Sequence, residues 1–182
     1  AEPAPETDEN DFSAIREICK DTGVIVSMGH TCADYDTAMA AFGAGASHAT
    51  HLFNGMPSFL HRAPGVIGAA FDSGATAELI CDGLHIHPSA LRVAKQLFGK
   101  NFVAISDSLR CAGMPDGDYT LGGQPVKKTG IQCLMPDGTI AGSVLDLNKG
   151  VKNFYEHAGV TLAEAFAAAS LNPAKAIGEA IA

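Results

Sequence analysis

Three histidines and one aspartate sit at the ends of short apolar runs. His30 ends VIVSMGH (24–30), His51 lies in HATHLFN (48–54), and Asp107 closes NFVAISD (101–107). His85 belongs to CDGLHIHP (81–88), which ends the run ATAELICDG (75–83). One histidine at such a place is more often a hydrogen-bonded structural residue. Four successive runs that each deliver a reactive side chain point to a shared site. Neutral imidazoles are good ligands for Zn²⁺ and similar ions, and a carboxylate beside such an ion can take a proton from its water. The chemistry implied is metal-assisted hydrolysis. A nucleophile-elbow hydrolase would need G-x-S-x-G after a strand, whereas Gly142-Ser143 follow a hairpin signal. GAGA at 43–46 ends a helix instead of opening one, so no phosphate loop or dinucleotide fingerprint is present.

The elements that must position these side chains alternate in period. DFSAIREICKDTG (11–23) reads as an amphipathic helix with Phe12, Ile15, Ile18 and Cys19 on one face and Gly23 at its C-cap. VIVSMGH reads as a strand buried on both faces. DYDTAMAAFGAGA (34–46) reads as a helix with Asp34 as N-cap, and HPSALRVAKQLFG (87–99) as another, with Pro88 in its first turn. HATHLFN, ATAELICDG and NFVAISDS supply three more strands. Strands alternating with helices predict a parallel α/β sheet, in which functional residues gather at the strand ends. From residue 113 the texture changes. GMPDGDYTLGG and LMPDGTIAGS carry Pro-Asp-Gly signals that predict short hairpins inserted at about 113–142. Two helices follow over 143–159 and 161–178, the second opened by a Thr161–Glu164 capping box.

Composition narrows the partners. Hydrophobic residues make up 47% and charged residues 18% of the 182, which describes a folded domain. Net charge is −8 with only 12 Lys and Arg, so neither nucleic acid nor an anionic membrane is an expected partner. Any bound phosphate must rely on one or two placed cations and backbone N–H groups. Five cysteines, Cys19, Cys32, Cys81, Cys111 and Cys133, lack metal or redox spacing, which suggests reduced thiols and a cytoplasmic protein. No apolar run approaches the roughly 20 residues of a membrane span.

Taken in order, THLFNGM, HRAPGVIGA, DGLHIHP, ISDS, AGMPDGDYTLGG and DGTIAGS resemble the N-acetylglucosamine-6-phosphate deacetylases of the amidohydrolase superfamily. The likeness runs from about Val24 to the end of the chain. It implies an α/β fold of the TIM-barrel type, of which residues 1–182 would supply about the second half, strands five to eight, with APE at 4–6 just after strand four. It implies deacetylation of N-acetylglucosamine 6-phosphate to glucosamine 6-phosphate and acetate, a divalent metal (Zn, with Fe, Mn or Co as alternatives), and a homodimer. By the same resemblance His30 and His51 bind the metal and Asp107 is the catalytic base and then acid; because Asp107 ends a strand, burial beside the cation should set its ionisation. His85 touches the sugar. Asn54 and Gly55 meet the phosphate, as does Arg62, which can reach a neighbouring subunit. The family usually carries alanine where Gly55 stands.

The resemblance also implies a glutamate metal ligand and a carbonyl-polarising histidine in the first half of the barrel. Neither has a counterpart here, so the chain reads as part of a longer product. A different cyclic amide or N-acyl sugar substrate, or a non-catalytic sugar-phosphate-binding fragment, are the rival readings. Other polar residues carry plainer expectations. His48 faces away from the site, and His87 either caps a helix or is a ligand. His61 and His157 are surface, Asp82, Asp116 and Asp137 form turns, and the cysteines are small buried groups.

Overall fold

The computed structural model describes residues 12–179; APE at 4–6, the first residue of the predicted 11–23 helix and the last three residues lie outside that range. Four strands, β1 (Ser27–Met28), β2 (His48–Ala49), β3 (Thr76–Ile80) and β4 (Phe102–Ile105), form one sheet in the order β1-β2-β3-β4. β1 pairs β2, and β2 pairs β3, both in parallel. Helices separate them: α1 (Ser13–Thr22) precedes β1, and α2 (Tyr35–Gly43), α3 (Gly65–Asp72) and α4 (Pro88–Phe98) fill the three crossovers. An antiparallel sheet of β5 (Gly117–Leu121), β6 (Gln124–Thr129) and β7 (Gln132–Leu134) then precedes α5 (Leu147–Ala158), α6 (Leu162–Ala169) and α7 (Leu171–Ala176). The described residues fall into two compact units: one up to Leu79 with Ala94–Val103 and the segment from Leu171, the other Ile80–Val93 with Ala104–Ser170.

The first unit carries most of the parallel sheet. Ala49, Leu52, Ala77 and Leu79 are fully buried; α2 packs on α3, and Ala38, Ala69 and Ala70 in these helices have no exposed surface. α3 buries Gly65 through Ala70 without a break. A stretch buried on every face has no polar side and so no 3.6-residue rhythm, which is why the sequence does not announce this helix. By contrast α1, with the clearest amphipathic rhythm, buries none of its residues. Asp34 caps α2 by accepting the Thr37 N–H at 2.9 Å, as the sequence suggests.

Two strands are much shorter than predicted. Pairing stops at Met28 and Ala49 because His30 and His51 take left-handed backbone angles, φ 47° and 32°. An L-residue there has left the extended region, so the ladder ends before it. Residues 50–54, predicted as strand, are turns.

In the second unit the Pro-Asp-Gly segment becomes three antiparallel strands. Gly122 and Gly123 (φ 55° and 85°) make the two-residue hairpin between β5 and β6, a turn needing positive φ at both positions. Cys111, Val126 and Cys133 form the small core beside this sheet. Asp137 accepts the Thr139 N–H, as a turn residue should. Asp116 does more, accepting the Gly130 N–H and pairing with Lys128 at 3.0 Å. Thr161 and Glu164 form the predicted capping box, but the helix they open stops at Ser170, and α7 follows.

Candidate active site

The parallel register brings His30 and His51 together. Ser27 stands opposite His48 and Met28 opposite Ala49, so a residue two places past β1 lies beside one two places past β2. The ring centroids are 4.6 Å apart and perpendicular. Thr50 N–H donates to the Met28 carbonyl at 2.8 Å, and the Ser27 and Thr50 hydroxyls are bonded at 2.5 Å. A Cβ on Gly29 would lie 2.9 Å from Thr50 Cβ, so only glycine lets the two backbones close up just before the histidines. His51 is buried, and its Nδ1 has no hydrogen-bond partner among the described residues, whereas His30 is exposed.

The predicted phosphate residues lie on the loop that leaves His51. Asn54 is pinned by its own N–H, which donates to the His51 carbonyl at 3.0 Å, and by Nδ2 bonds to His51 and Leu52 carbonyls. Phe53 and Gly55 have φ 80° and 63°. The His30 ring occupies the space beside Gly55, where a Cβ would come within 2.8 Å of His30 Nδ1. Glycine here is thus tied to the placement of His30, more than a neutral exchange for alanine. Arg62 is exposed on a turn closed by reciprocal bonds between Leu60 and Ala63, and no side chain among the described residues pairs with it.

In the second unit, Asp107 also stands two residues past a strand, β4, with φ 48°. The expected burial is not found: Asp107 is exposed, the buried strand having ended at Ile105. The loop is clamped from a distance. Ser143 N–H donates to the Asp107 carbonyl at 3.2 Å, the Ser143 carbonyl accepts the Leu109 N–H at 2.8 Å, and Ser108 Oγ donates to the Leu145 carbonyl. Ser143 is completely buried, and its hydroxyl accepts the Leu145 N–H. The sequence does not reveal this link, because 35 residues and a whole sheet separate Ser143 from Asp107 in the chain.

Asp82, two residues past β3, is the turn-former expected and also holds His85. Oδ1 accepts the N–H groups of Leu84 and His85, each at 2.8 Å, and Oδ2 meets His85 Nδ1 at 2.6 Å. Burial pushes the Asp82 carboxyl up, but the bonds from the His85 ring, the His85 N–H and the Leu84 N–H outweigh it, leaving the group below its usual range.

A model of the amidohydrolase family matches residues 1–180. The chain belongs to the amidohydrolase family. Among curated amidohydrolase relatives it is similar to an N-acetylglucosamine-6-phosphate deacetylase of Bacillus subtilis, 44% identical over 96% of this chain. An N-acetylgalactosamine-6-phosphate deacetylase of Escherichia coli is 43% identical over 96%. The chain spans 44% and 46% of those two proteins, so it corresponds to about half their length. A mutant N-acetyl-D-glucosamine-6-phosphate deacetylase of Mycobacterium smegmatis, solved in complex with N-acetyl-D-glucosamine-6-phosphate, superposes with a TM-score of 0.90 at 34% identity. That match covers 97% of this chain and 48% of that one. The α/β amidohydrolase fold predicted from the motifs is therefore the fold of this chain.

For an amidohydrolase, the first-unit histidines suit a divalent ion. Two imidazoles past the ends of adjacent strands, one with a buried nitrogen that has no partner among the described residues, are the donors such an ion takes. No cluster of three His, Cys, Asp or Glu that could hold a metal ion occurs among the described residues, so an ion at this pair would need further donors. The remaining histidines are explained otherwise. His48 is buried, bonded to Ser47 through Nδ1, and desolvation holds its pKa below the ordinary value. His87 accepts the Ser89 N–H and so caps α4, and His61 and His157 are exposed. Cys81, Cys111 and Cys133 are buried as expected, while Cys32 is exposed.

Proposed function

We propose that the protein is a metal-dependent deacetylase that hydrolyses N-acetylglucosamine 6-phosphate to glucosamine 6-phosphate and acetate. The observation that carries this reading is a backbone one. Of four non-glycine residues with positive φ among the described residues, three are His30, His51 and Asp107. Left-handed geometry costs an L-residue about 1–2 kcal/mol, and strain of this kind is kept at functional sites.

His30 and His51 would hold the ion, for which zinc is the first choice and Fe, Mn or Co the alternatives. When bound, such an ion polarises a carbonyl and lowers the pKa of water. Asp107 takes a proton from the attacking water and returns it to the nitrogen as the C–N bond breaks, so the products are acetate and a free amine. His85 contacts the sugar, and Asn54, Gly55 and Arg62 receive the phosphate. We further propose a homodimer in which Arg62 serves the neighbouring subunit. Five free cysteines favour a reducing compartment such as the cytoplasm, and among the described residues no helix is long and apolar enough to cross a membrane.

The relative named for N-acetylgalactosamine 6-phosphate, at 43% identity, favours a second reading with that epimer as substrate. Acetate release from both epimers by the protein expressed from its complete gene, together with its metal content, tests both readings. The expected result is bound divalent metal and faster turnover of the glucosamine compound. Faster turnover of the other epimer would replace the substrate, and no turnover of either would overturn the reading.

A further inference from the structure

The Asp82 carboxylate uses its two oxygens for different purposes. Oδ1 alone makes the turn, accepting both the Leu84 and His85 N–H groups at 2.8 Å. Oδ2 is not needed for the turn, and it lies 2.6 Å from His85 Nδ1. Both side chains are nearly buried, 5% exposed for Asp82 and 6% for His85, so the pair is shielded from exchange with water. An ionised carboxylate can only accept, so the proton between them belongs to the imidazole. Hydrogen bonds to Asp82 favour its ionised form, in keeping with this.

We propose that Asp82 fixes the His85 proton on Nδ1, so that Nε2 presents a lone pair as the acceptor for a hydroxyl of the bound sugar. Asp82 is then a positioning residue that acts through His85. The identity of the ligand rests on the deacetylase reading above, whereas the tautomer does not.

The decisive substitution is Asp82→Asn. Asparagine has one carboxamide oxygen, and the two backbone N–H groups of the turn claim it. Its NH₂ group must then replace Oδ2 opposite His85 Nδ1. A donor facing Nδ1 forces that nitrogen to accept, and the imidazole proton moves to Nε2. The turn survives while the Nε2 side of the ring changes from acceptor to donor.

Nitrogen-15 NMR of histidine-labelled, zinc-loaded protein from the complete gene, at about pH 8 where an ordinary histidine is neutral, reads the tautomer directly. The wild type should show His85 protonated at Nδ1, and Asp82→Asn should show it protonated at Nε2 with an unchanged unfolding midpoint. With N-acetylglucosamine 6-phosphate, kcat/KM should fall by about ten- to a hundredfold, the loss of one hydrogen bond to substrate. A wild-type proton on Nε2, or an unchanged tautomer in the variant, would overturn the proposal. So would a switched tautomer with unchanged kcat/KM. If the wild type turns over neither amino-sugar phosphate, the deacetylase reading falls, and the wild-type spectrum, which needs no variant, still decides the assignment for His85.

Discussion

His30 and His51 in the first unit, and Asp107 in the second, occupy the same place: two residues past a strand, with a left-handed backbone. They are held there by different means. The histidines are fixed by the strands that carry them, through the parallel register, the Ser27–Thr50 bond and the close approach at Gly29. Asp107 is fixed by Ser143, reached only after the chain has built an entire antiparallel sheet. The proposed ligand pair is thus built into neighbouring strands, while the proposed base depends on a long-range clamp. Changes in one region should therefore separate metal binding from chemistry.

The largest separation is expected from Asp107→Asn. It keeps the side chain's shape and removes the base, so kcat should drop by about 10²–10⁴ while metal content stays at the wild-type level. Loss of metal would recast Asp107 as a ligand, and near-normal turnover would remove it from the mechanism. The converse is His51→Ala or His30→Ala. Either should lower metal affinity by at least about tenfold, the effect seen when even a ligand's supporting group is lost, with activity falling in step. Full occupancy measured by elemental analysis would disprove the assignment.

Arg62 tests binding apart from both. Arg62→Ala removes a charge-assisted contact, and KM for the phosphorylated sugar should rise about tenfold. Turnover of the unphosphorylated sugar should hardly change. Equal losses on both would end its role at the phosphate.

Ser143→Ala probes the long-range clamp. It leaves the buried Leu145 N–H without its acceptor, which should destabilise the protein by about 1–3 kcal/mol in chemical denaturation. kcat should decline while metal content is unaffected. A parallel loss of metal would show that the two regions are not separable.

Acid gives the smallest and most graded contrast. His48, in the first unit, has a depressed pKa because it is desolvated. The unfolded chain protonates this histidine first, so stability should begin to fall as pH drops below about 6.5 and stop changing below the folded-state value. Asp82, in the second unit, is a depressed carboxylate; its contribution is present above about pH 3.9 and is lost as pH falls through its lower folded-state value. Denaturation midpoints between about pH 7 and 5 should thus shift less in His48→Gln than in wild type, and Asp82→Asn should leave that range unaltered. An equal slope in His48→Gln would show that another group sets it.

Residue types, order and spacing determined which side chains can do chemistry, the alternation of helix and strand, the caps at Asp34 and Thr161, and the hairpin signals after residue 113. These are local properties, written into neighbouring residues by periodicity and turn chemistry. The tertiary structure alone decided the rest. It shortened β1 and β2, since a strand ends where pairing ends and not where apolar residues do. It buried residues 65–70 of α3 without a break, which erases the helical rhythm over that stretch. It exposed Asp107 in place of the expected burial. It also turned Asp82, read as a turn residue, and Ser143, read as the start of a helix, into the supports of His85 and Asp107. Such roles arise from hydrogen bonds between particular atoms, and in the case of Ser143 from contacts that close only once distant segments have folded together.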